Sequence, residues 1–435
     1  MNEKIIKRSR DLYCETVRIR RDLHKYPEKG FCEYRTVSVI VGYLSELGYD
    51  VKYGNEVIDP HSVLGLPHKD ILAREKIRAI NDGADKKLVE SLCDGGTAVV
   101  ATISSQRSGG GKTVASRFDM DCNELYESDA SDHIPASTGF SSKYAGCAHA
   151  CGHDGHVAIG LTLARLLAEN RDSIGGTVKL IFQPAEEGVR GANAMVAAGV
   201  VDDVDYFFSG HIGIAATKKG TMFASTGAFL CATKYDAEFF GVSSHAGLKP
   251  EEGKNALLAA AHATLALHTI SRHGKGASRI NVGVINGGTS RNVIPDYAKI
   301  QFETRGETNE INDYVKSRAR SIISSSASMY DVDYKLNCVG HADAFVNDPE
   351  YAKEIADFAN GTGVFSEVYV NGKMNASEDC TAFMNRVVER GGKASYFMFG
   401  THLKSPHHTS KFDFDENVMT DAAAFLAILA LKYSK

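Results

Sequence analysis

Eight consecutive residues constrain this chain more than any other stretch: His149-Ala150-Cys151-Gly152-His153-Asp154-Gly155-His156. Five of the eight can bind or activate a metal, and two are glycines that let a backbone come close to an ion. Cys151 and His153 stand one residue apart. On a helix their side chains would diverge, so the spacing predicts an extended or turn segment. A thiolate beside an imidazole suits zinc or a similar borderline ion, but two ligands do not complete a site. The fold must therefore bring further ligands from distant parts of the chain.

With 435 residues, 43% of them apolar, the chain can form two or three domains of about 150 residues with a large core. A net charge of −5 gives no reason to expect nucleic acid or an anionic membrane as partner. The start, MNEKIIKRSRD, has no apolar signal core, and no run reaches the ~18 apolar residues of a membrane span. The most apolar stretch, Ala422 to Leu431, predicts a buried closing helix. Nine scattered cysteines, an odd number, fit a reducing compartment better than a disulfide framework. A soluble cytoplasmic protein is expected.

Residues 3–48 carry two helical patterns around Pro27-Glu28-Lys29-Gly30, and His24 and Glu33 read as surface and helix-end polar residues. Residues 54–95 form an elaboration with a Gly-Leu-Pro turn and a charged helical run from Lys69 to Leu92. Both a cover over a substrate entrance or partner surface and a solvated insertion fit it. Two β-rich runs follow, Gly96 to Ser104 and Thr113 to Phe118, the second ending in Asp119-Met120-Asp121. In open α/β sheets chemistry gathers at the carboxyl ends of strands. Two acids spaced by two face one side, as metal-binding or orienting acids would; loop capping stays equally open.

Val157 to Glu169 predicts a strong helix, and Gly176 to Phe182 a buried strand that delivers Glu186-Glu187 to the same edge. Adjacent carboxylates at a turn diverge, so one can bind an ion while its neighbour faces a water. An acidic helix start is the ordinary alternative. Asp205 to Ser209 is a further strand, ending in Gly210-His211. Near the C-terminus the strand Ala394 to Phe399 leads to His402, His407 and His408. Strand ends carrying Asp, Cys/His, Glu and His in turn favour one shared metal site.

Between about residues 225 and 338 the order changes to strand, Ala/Leu helix, two strands, helix and strand, the split β-α-β-β-α-β arrangement. The expected fold is α/β: a catalytic domain of residues 1–224 and 339–435 with a central mixed sheet flanked by helices. A ferredoxin-like α+β domain, 225–338, is inserted into it as lid and dimer contact.

If the strand ends converge, Cys151, His153, one of Glu186/Glu187, His211 and one of His407/His408 supply five ligands. One tetrahedral catalytic zinc takes three. Two ions about 3.5–4 Å apart accommodate five with open positions left over, and the non-ligating Glu would move a proton from water to the leaving nitrogen. Such a site hydrolyses an amide or peptide-like bond.

Six motifs, in this order, are HACGHDGH, QPAEEG, GHIG, SSHAG followed by K-P-E-x-G-x-N-A, RNVIP, and HH-x-x-KFDFDE. The set resembles the co-catalytic metallopeptidase family of aminoacylases, carboxypeptidases and auxin-conjugate amidohydrolases, whose catalytic domain is zinc-peptidase-like. The N-terminal RRDLHKYPE-x-G-x-x-EYRT and the segment from Val57 to Leu92 resemble the p-aminobenzoyl-glutamate hydrolase branch most. The resemblance implies Cys151 as bridging ligand, with His153, Glu187 and His211 as further ligands and Glu186 as general base. The family's H-S-P-x-F-x-x-D-E, counted back from Phe412 and Asp415, implies His408 as the last ligand and leaves His407 outside it. Asp119 becomes an orienting acid, and Asp121 is counted among the catalytic residues. His245 is implied as the oxyanion donor from the lid, and Asn292 and Arg305 as holders of the substrate carboxylate.

Cleavage of p-aminobenzoyl-glutamate to p-aminobenzoate and glutamate is thereby implied, with two divalent ions. Ligand softness favours zinc, the resemblance manganese. The substrate is a small N-acyl amino acid, and the assembly a homodimer or a heterodimer with a related subunit. A broader aminoacylase, carboxypeptidase or dipeptidase is the alternative. A weakly active partner subunit of a heteromeric hydrolase is a third reading. Against it, Glu186 and every ligand position are present.

Overall fold

The computed structural model describes residues 1–105 and 110–435. The chain forms two units. One comprises Met1–Gly227, Phe345–Asn375 and Asp379–Lys435; the other comprises Ala228–Ala344 with Ala376–Glu378.

The first unit is built on an eight-stranded mixed sheet. Its order is Asp50–Tyr53, Val99–Ser104, Thr177–Gln183, Thr113–Asp119, Tyr206–Ile212, Lys393–Phe399, Thr221–Phe223 and Glu367–Tyr369. The four middle strands, from Thr177–Gln183 to Lys393–Phe399, are mutually parallel. They are almost wholly buried, as strands covered on both faces are, and carry Arg117, Asp119, Gln183 and His211 among their buried residues. Parallel register puts Asp119 beside Gln183 and His211 beside Met398, so the reactive residues leave the sheet at one edge.

The helix His153–Glu169 packs against the closing helix Asn417–Tyr433, and both are buried around most of their circumference. The closing helix begins earlier than the apolar run alone indicates, with Asp415 of the preceding loop accepting the N–H groups of Asn417 and Val418 in its first turn. In the elaboration, helices Lys69–Asn81 and Lys86–Ser91 form where charged helical sequence was expected. Leu72, Ala79 and Val89 are buried, while Ile77 is exposed. The segment is pinned by Asp59 N–H to the Ala194 carbonyl, 2.9 Å, and by Arg190 Nη1 to the Gly65 carbonyl, 3.0 Å.

The second unit is a four-stranded antiparallel sheet in the order Asp333–Ala342, Cys231–Phe240, Tyr297–Gly306, Ser278–Gly287. Its helices Ala256–Leu267 and Asn309–Met329 complete the ferredoxin-like β-α-β-β-α-β order. Ala256, Ala259, Ala260, Ala263 and Leu267 form one buried helix face, small enough to lie close to the sheet. Among the described residues, no helix is long and apolar enough to cross a membrane.

Candidate metal centre

The eight-residue stretch is a tight turn into a helix. Gly152 has φ +89°, a left-handed conformation that a side chain resists, and His153 is the first helical residue. At Gly155 a Cβ would lie 2.6 Å from the Phe414 ring and 2.8 Å from Ile212, so only glycine lets the helix start this close to the strand end. Arg20 locks the turn from behind. Its buried guanidinium reaches Asp154 at 2.9 Å, Asp413 at 2.7 Å and Glu416 at 3.1 Å, joining the turn to the C-terminal loop.

Cys151 lies at the centre. Its Sγ is 3.3 Å from His211 Nε2 and 3.3 Å from His408 Nε2. Nδ1 of His153 is 2.8 Å from the main-chain carbonyl of Asp121 and Nδ1 of His211 is 2.8 Å from that of Ile212. Donation to those carbonyls places the proton on Nδ1 and leaves each Nε2 with a lone pair turned into the site. His153 Nε2 is buried without a hydrogen-bond partner.

The acidic turn is held from three sides. Asp121 accepts the N–H of Glu186 at 2.9 Å and of Glu187 at 3.0 Å. Glu33 accepts the N–H of Ala185, and Asp379 those of Gly191 and Ala192. Ala185 and Val189 bracket the two glutamates at φ +53° and +58°, a strained backbone kept in place by these contacts. Glu187 Oε1 lies 3.1 Å from His408 Nε2, and Glu186 Oε2 lies 3.9 Å from His153 Nε2.

Donor atoms of Cys151, His153 and His211 lie within 4.8 Å of one another, as do those of Cys151, Glu187 and His408. Two groups of three thus share the one sulfur. A third group, His153, Glu186 and Glu187, joins them. The electrostatics suit cations. Burial and then Glu187 push the Cys151 thiol well up, so a nearby positive charge is needed to hold a thiolate there. Burial opposes charge on His153, but Asp119, Asp121 and Cys151 outweigh it and raise its pKa well above the usual range. Burial also works against the Glu187 carboxylate, yet His408 and His153 hold it at about 2. His211 is kept neutral, lowered first by burial and then by His156 and His407. A buried imidazole nitrogen without a hydrogen-bond partner, in a setting that favours positive charge, a buried sulfur and an ionised carboxylate are together what a divalent metal requires.

His156 and His407 take supporting places. His156 Nδ1 donates to Asp119 at 2.5 Å and its Nε2 accepts the Ile212 N–H at 3.0 Å. Asp119, also held by Arg117 at 2.8 Å, therefore orients His156. His407 Nε2 is 3.0 Å from the Ile212 carbonyl.

His24 and Glu33 correct a sequence expectation: both are buried. His24 bridges Asp154 at 2.8 Å and Glu127 at 2.9 Å, and Glu33, although it does stand at a helix start, points inward to Thr97 and Ala185. Their partners come from distant segments, and these convert exposed-looking polar residues into internal ties. Asn123 is not among the residues predicted from the sequence. It contacts Glu187, and the signal was its place in the alternation Asp119, Asp121, Asn123 at the strand end.

The remaining residues predicted from the sequence, His245, Asn292 and Arg305, belong to the second unit. His245 is exposed, and its Nδ1 accepts the N–H groups of Gly247 at 3.1 Å and Leu248 at 3.2 Å, leaving Nε2 as a donor. Asn292 lies alongside, its carbonyl accepting the Ala246 N–H at 3.0 Å. Arg305 makes a two-point pair with Glu303 at 2.8 and 3.1 Å.

The model of peptidase family M20/M25/M40 matches residues 115–432. Indole-3-acetyl-aspartic acid hydrolase of Enterobacter agglomerans is 47% identical over 427 residues, 98% of this chain and 97% of that protein. A p-aminobenzoyl-glutamate hydrolase subunit of Escherichia coli K12 is 46% identical, over 95% of this chain and 94% of its own. The crystal structure of an aminobenzoyl-glutamate utilization protein from Klebsiella pneumoniae superposes with a TM-score of 0.84 at 41% identity, covering 98% of this chain and 97% of that one.

Proposed function

Because the chain belongs to peptidase family M20/M25/M40 and is a metal-dependent amidohydrolase, we propose that it cleaves p-aminobenzoyl-glutamate to p-aminobenzoate and glutamate. The observation that carries the reading is the pair of three-donor groups sharing Cys151, with Glu186 beside them. Cys151, His153, Glu187, His211 and His408 would hold two divalent ions, manganese or zinc, which would supply Lewis acidity to the scissile carbonyl and the attacking water.

Each remaining task falls to a side chain. Glu186 takes the proton of the attacking water as the new C–O bond forms, then gives it to the amide nitrogen as the C–N bond breaks. Asp121 keeps Glu186 and Glu187 in register by holding both their N–H groups. His245, with its proton on Nε2, donates to the oxyanion, and Asn292 and Arg305 receive the substrate carboxylate. Arg305 would exchange Glu303 for that carboxylate.

The second unit is proposed as lid and dimerisation domain, in a homodimer or beside a related subunit. Its sheet ends in the open strand Ser278–Gly287, with Val284 and Ile285 exposed, and Leu258 and Leu265 are exposed seven residues apart on one helix. The work is assigned to the cytoplasm.

A second reading is favoured by the relative that acts on indole-3-acetyl-aspartic acid. The two named substrates share an aromatic acid amide-linked to an acidic amino acid. Comparing kcat/KM for both conjugates with N-acetyl amino acids tests the choice. The reading expects p-aminobenzoyl-glutamate to lead. A lead for indole-3-acetyl-aspartate would move the substrate within the class, and equal turnover of N-acetyl amino acids would make the chain a broad aminoacylase.

A further inference from the structure

We propose that Asn123 is the positioning residue for the Cys151–Glu187–His408 half of the metal centre, an inference that rests on the metal-centre reading above. Beyond the strand that ends at Asp119, the chain runs on to Asn123, whose main chain pairs with Ala148. Its N–H reaches the Ala148 carbonyl at 3.0 Å, and the return bond is 3.1 Å. This pairing aims the buried side-chain amide between two ligand-bearing segments.

Nδ2 of Asn123 donates to Glu187 Oε1 at 2.5 Å, and Oδ1 accepts the N–H of Ala150 at 3.1 Å. Only one orientation of the amide satisfies both partners, since a carboxylate accepts and an N–H donates. The Ala150 carbonyl in turn accepts the His408 N–H at 2.8 Å. One side chain therefore touches the carboxylate of one proposed ligand and the residue before the second, and reaches the third through that single residue, Ala150. His408 has φ +60°, a conformation that needs such an external hold.

The residue type matters as much as the place. A carboxylate offers several lone pairs, and a donor fixed on Oε1 limits how Glu187 can turn. An aspartate at 123 would face Glu187 with like charge, and an apolar residue would leave the Ala150 N–H unmet. Partners that orient ligands in this way commonly account for about 10–100-fold in metal affinity.

The test is a cobalt(II) titration of the full metal-stripped chain, read by its ligand-field and thiolate-to-metal absorption. For Asn123→Ala, half-saturation is expected at about 10–100-fold higher free cobalt. The melting temperature of the metal-free protein is expected to stay within about 2 °C of the parent. A double-mutant cycle with Glu187→Gln separates positioning from general support. If Asn123 acts through the Glu187 carboxylate, Asn123→Ala weakens cobalt binding by less than about threefold in the Glu187→Gln background.

Unchanged cobalt binding by Asn123→Ala overturns the proposal, and so does an undiminished loss in the Glu187→Gln background. Should Asn123→Ala not fold, the near-isosteric Asn123→Asp keeps the acceptor for Ala150 and replaces the donor to Glu187 with a like charge, which Glu187→Gln relieves. It is then run through the same cycle, with the same non-additivity expected. A parent chain that takes up no cobalt overturns the metal-centre reading itself. That result differs from failure of the Asn123 role, in which parent and variants bind equally.

Discussion

The main-chain carbonyl of Asp121 lies 2.8 Å from Nδ1 of His153, while the carboxylate of the same Asp121 holds the N–H groups of Glu186 and Glu187. One residue thus sets the tautomer of His153 and the position of the two glutamates. Its carbonyl survives any side-chain change, so substitution should affect the acidic turn more than His153. Asp121→Asn keeps the size and opposes one N–H with an NH₂ group. Turnover is expected to fall about 10–100-fold, with a smaller loss of metal affinity. Equal turnover in steady-state assays would remove Asp121 from the machinery.

Glu186 and Glu187 are neighbours proposed for different work. His408 and His153 lower the Glu187 carboxyl to about 2 against its burial, as its proposed ligand role requires. Glu186→Gln should leave the metal content per chain unchanged and reduce turnover by about 10²–10⁴-fold, the usual worth of a general base. Elemental analysis alongside the assay checks both halves. Normal turnover would move the base elsewhere.

Cys151 belongs to both three-donor groups around it, so its loss should be felt by two ions rather than one. Cys151→Ser is expected to lower metal occupancy under dialysis at a fixed free-metal concentration. A variant that retains the parent stoichiometry would contradict the shared-ligand role.

The buried pair of His24 and Glu127 predicts a stability profile. Burial opposes a charged His24, but Asp154 and Glu127 raise it to about 9 against the opposing charge of Arg20; the neighbouring His149, which burial lowers to about 3, is neutral over this range. A histidine raised in the fold contributes stability that is complete below its unfolded value of about 6.5 and is lost as pH rises through 9. Glu127, held at about 2 by His24 and the Ser142 N–H despite burial, loses its share only as pH falls through that value. The melting temperature should therefore decline between about pH 6.5 and 9, and His24→Gln should flatten that decline. The alkaline slope corresponds to roughly 3 kcal/mol at most. An identical slope in the variant would show that His24 is not its source.

How much of this was legible before the fold depended on where each cause resides. The strand ends and the octapeptide follow from local periodicity, and His408 follows from counting along one motif. His24 was not legible, because its carboxylate partner Asp154 lies 130 residues away and only packing brings them together. Glu33 looked like a helix start, which it is, but the sequence does not say that the helix start faces inward to Ala185, 152 residues on. Asn123 stood in plain alternation with two acids, and its amide gains a role only when the Glu187 turn and the Cys151 turn close on it from either side.

The most direct test of the central claim is glutamate release from p-aminobenzoyl-glutamate by the purified chain. It would be measured metal-free, with manganese and with zinc, each with and without a related second subunit. The account predicts release that requires a divalent metal and disappears in Glu186→Gln. Release undiminished in the metal-free chain, or none under any of these conditions, would contradict it.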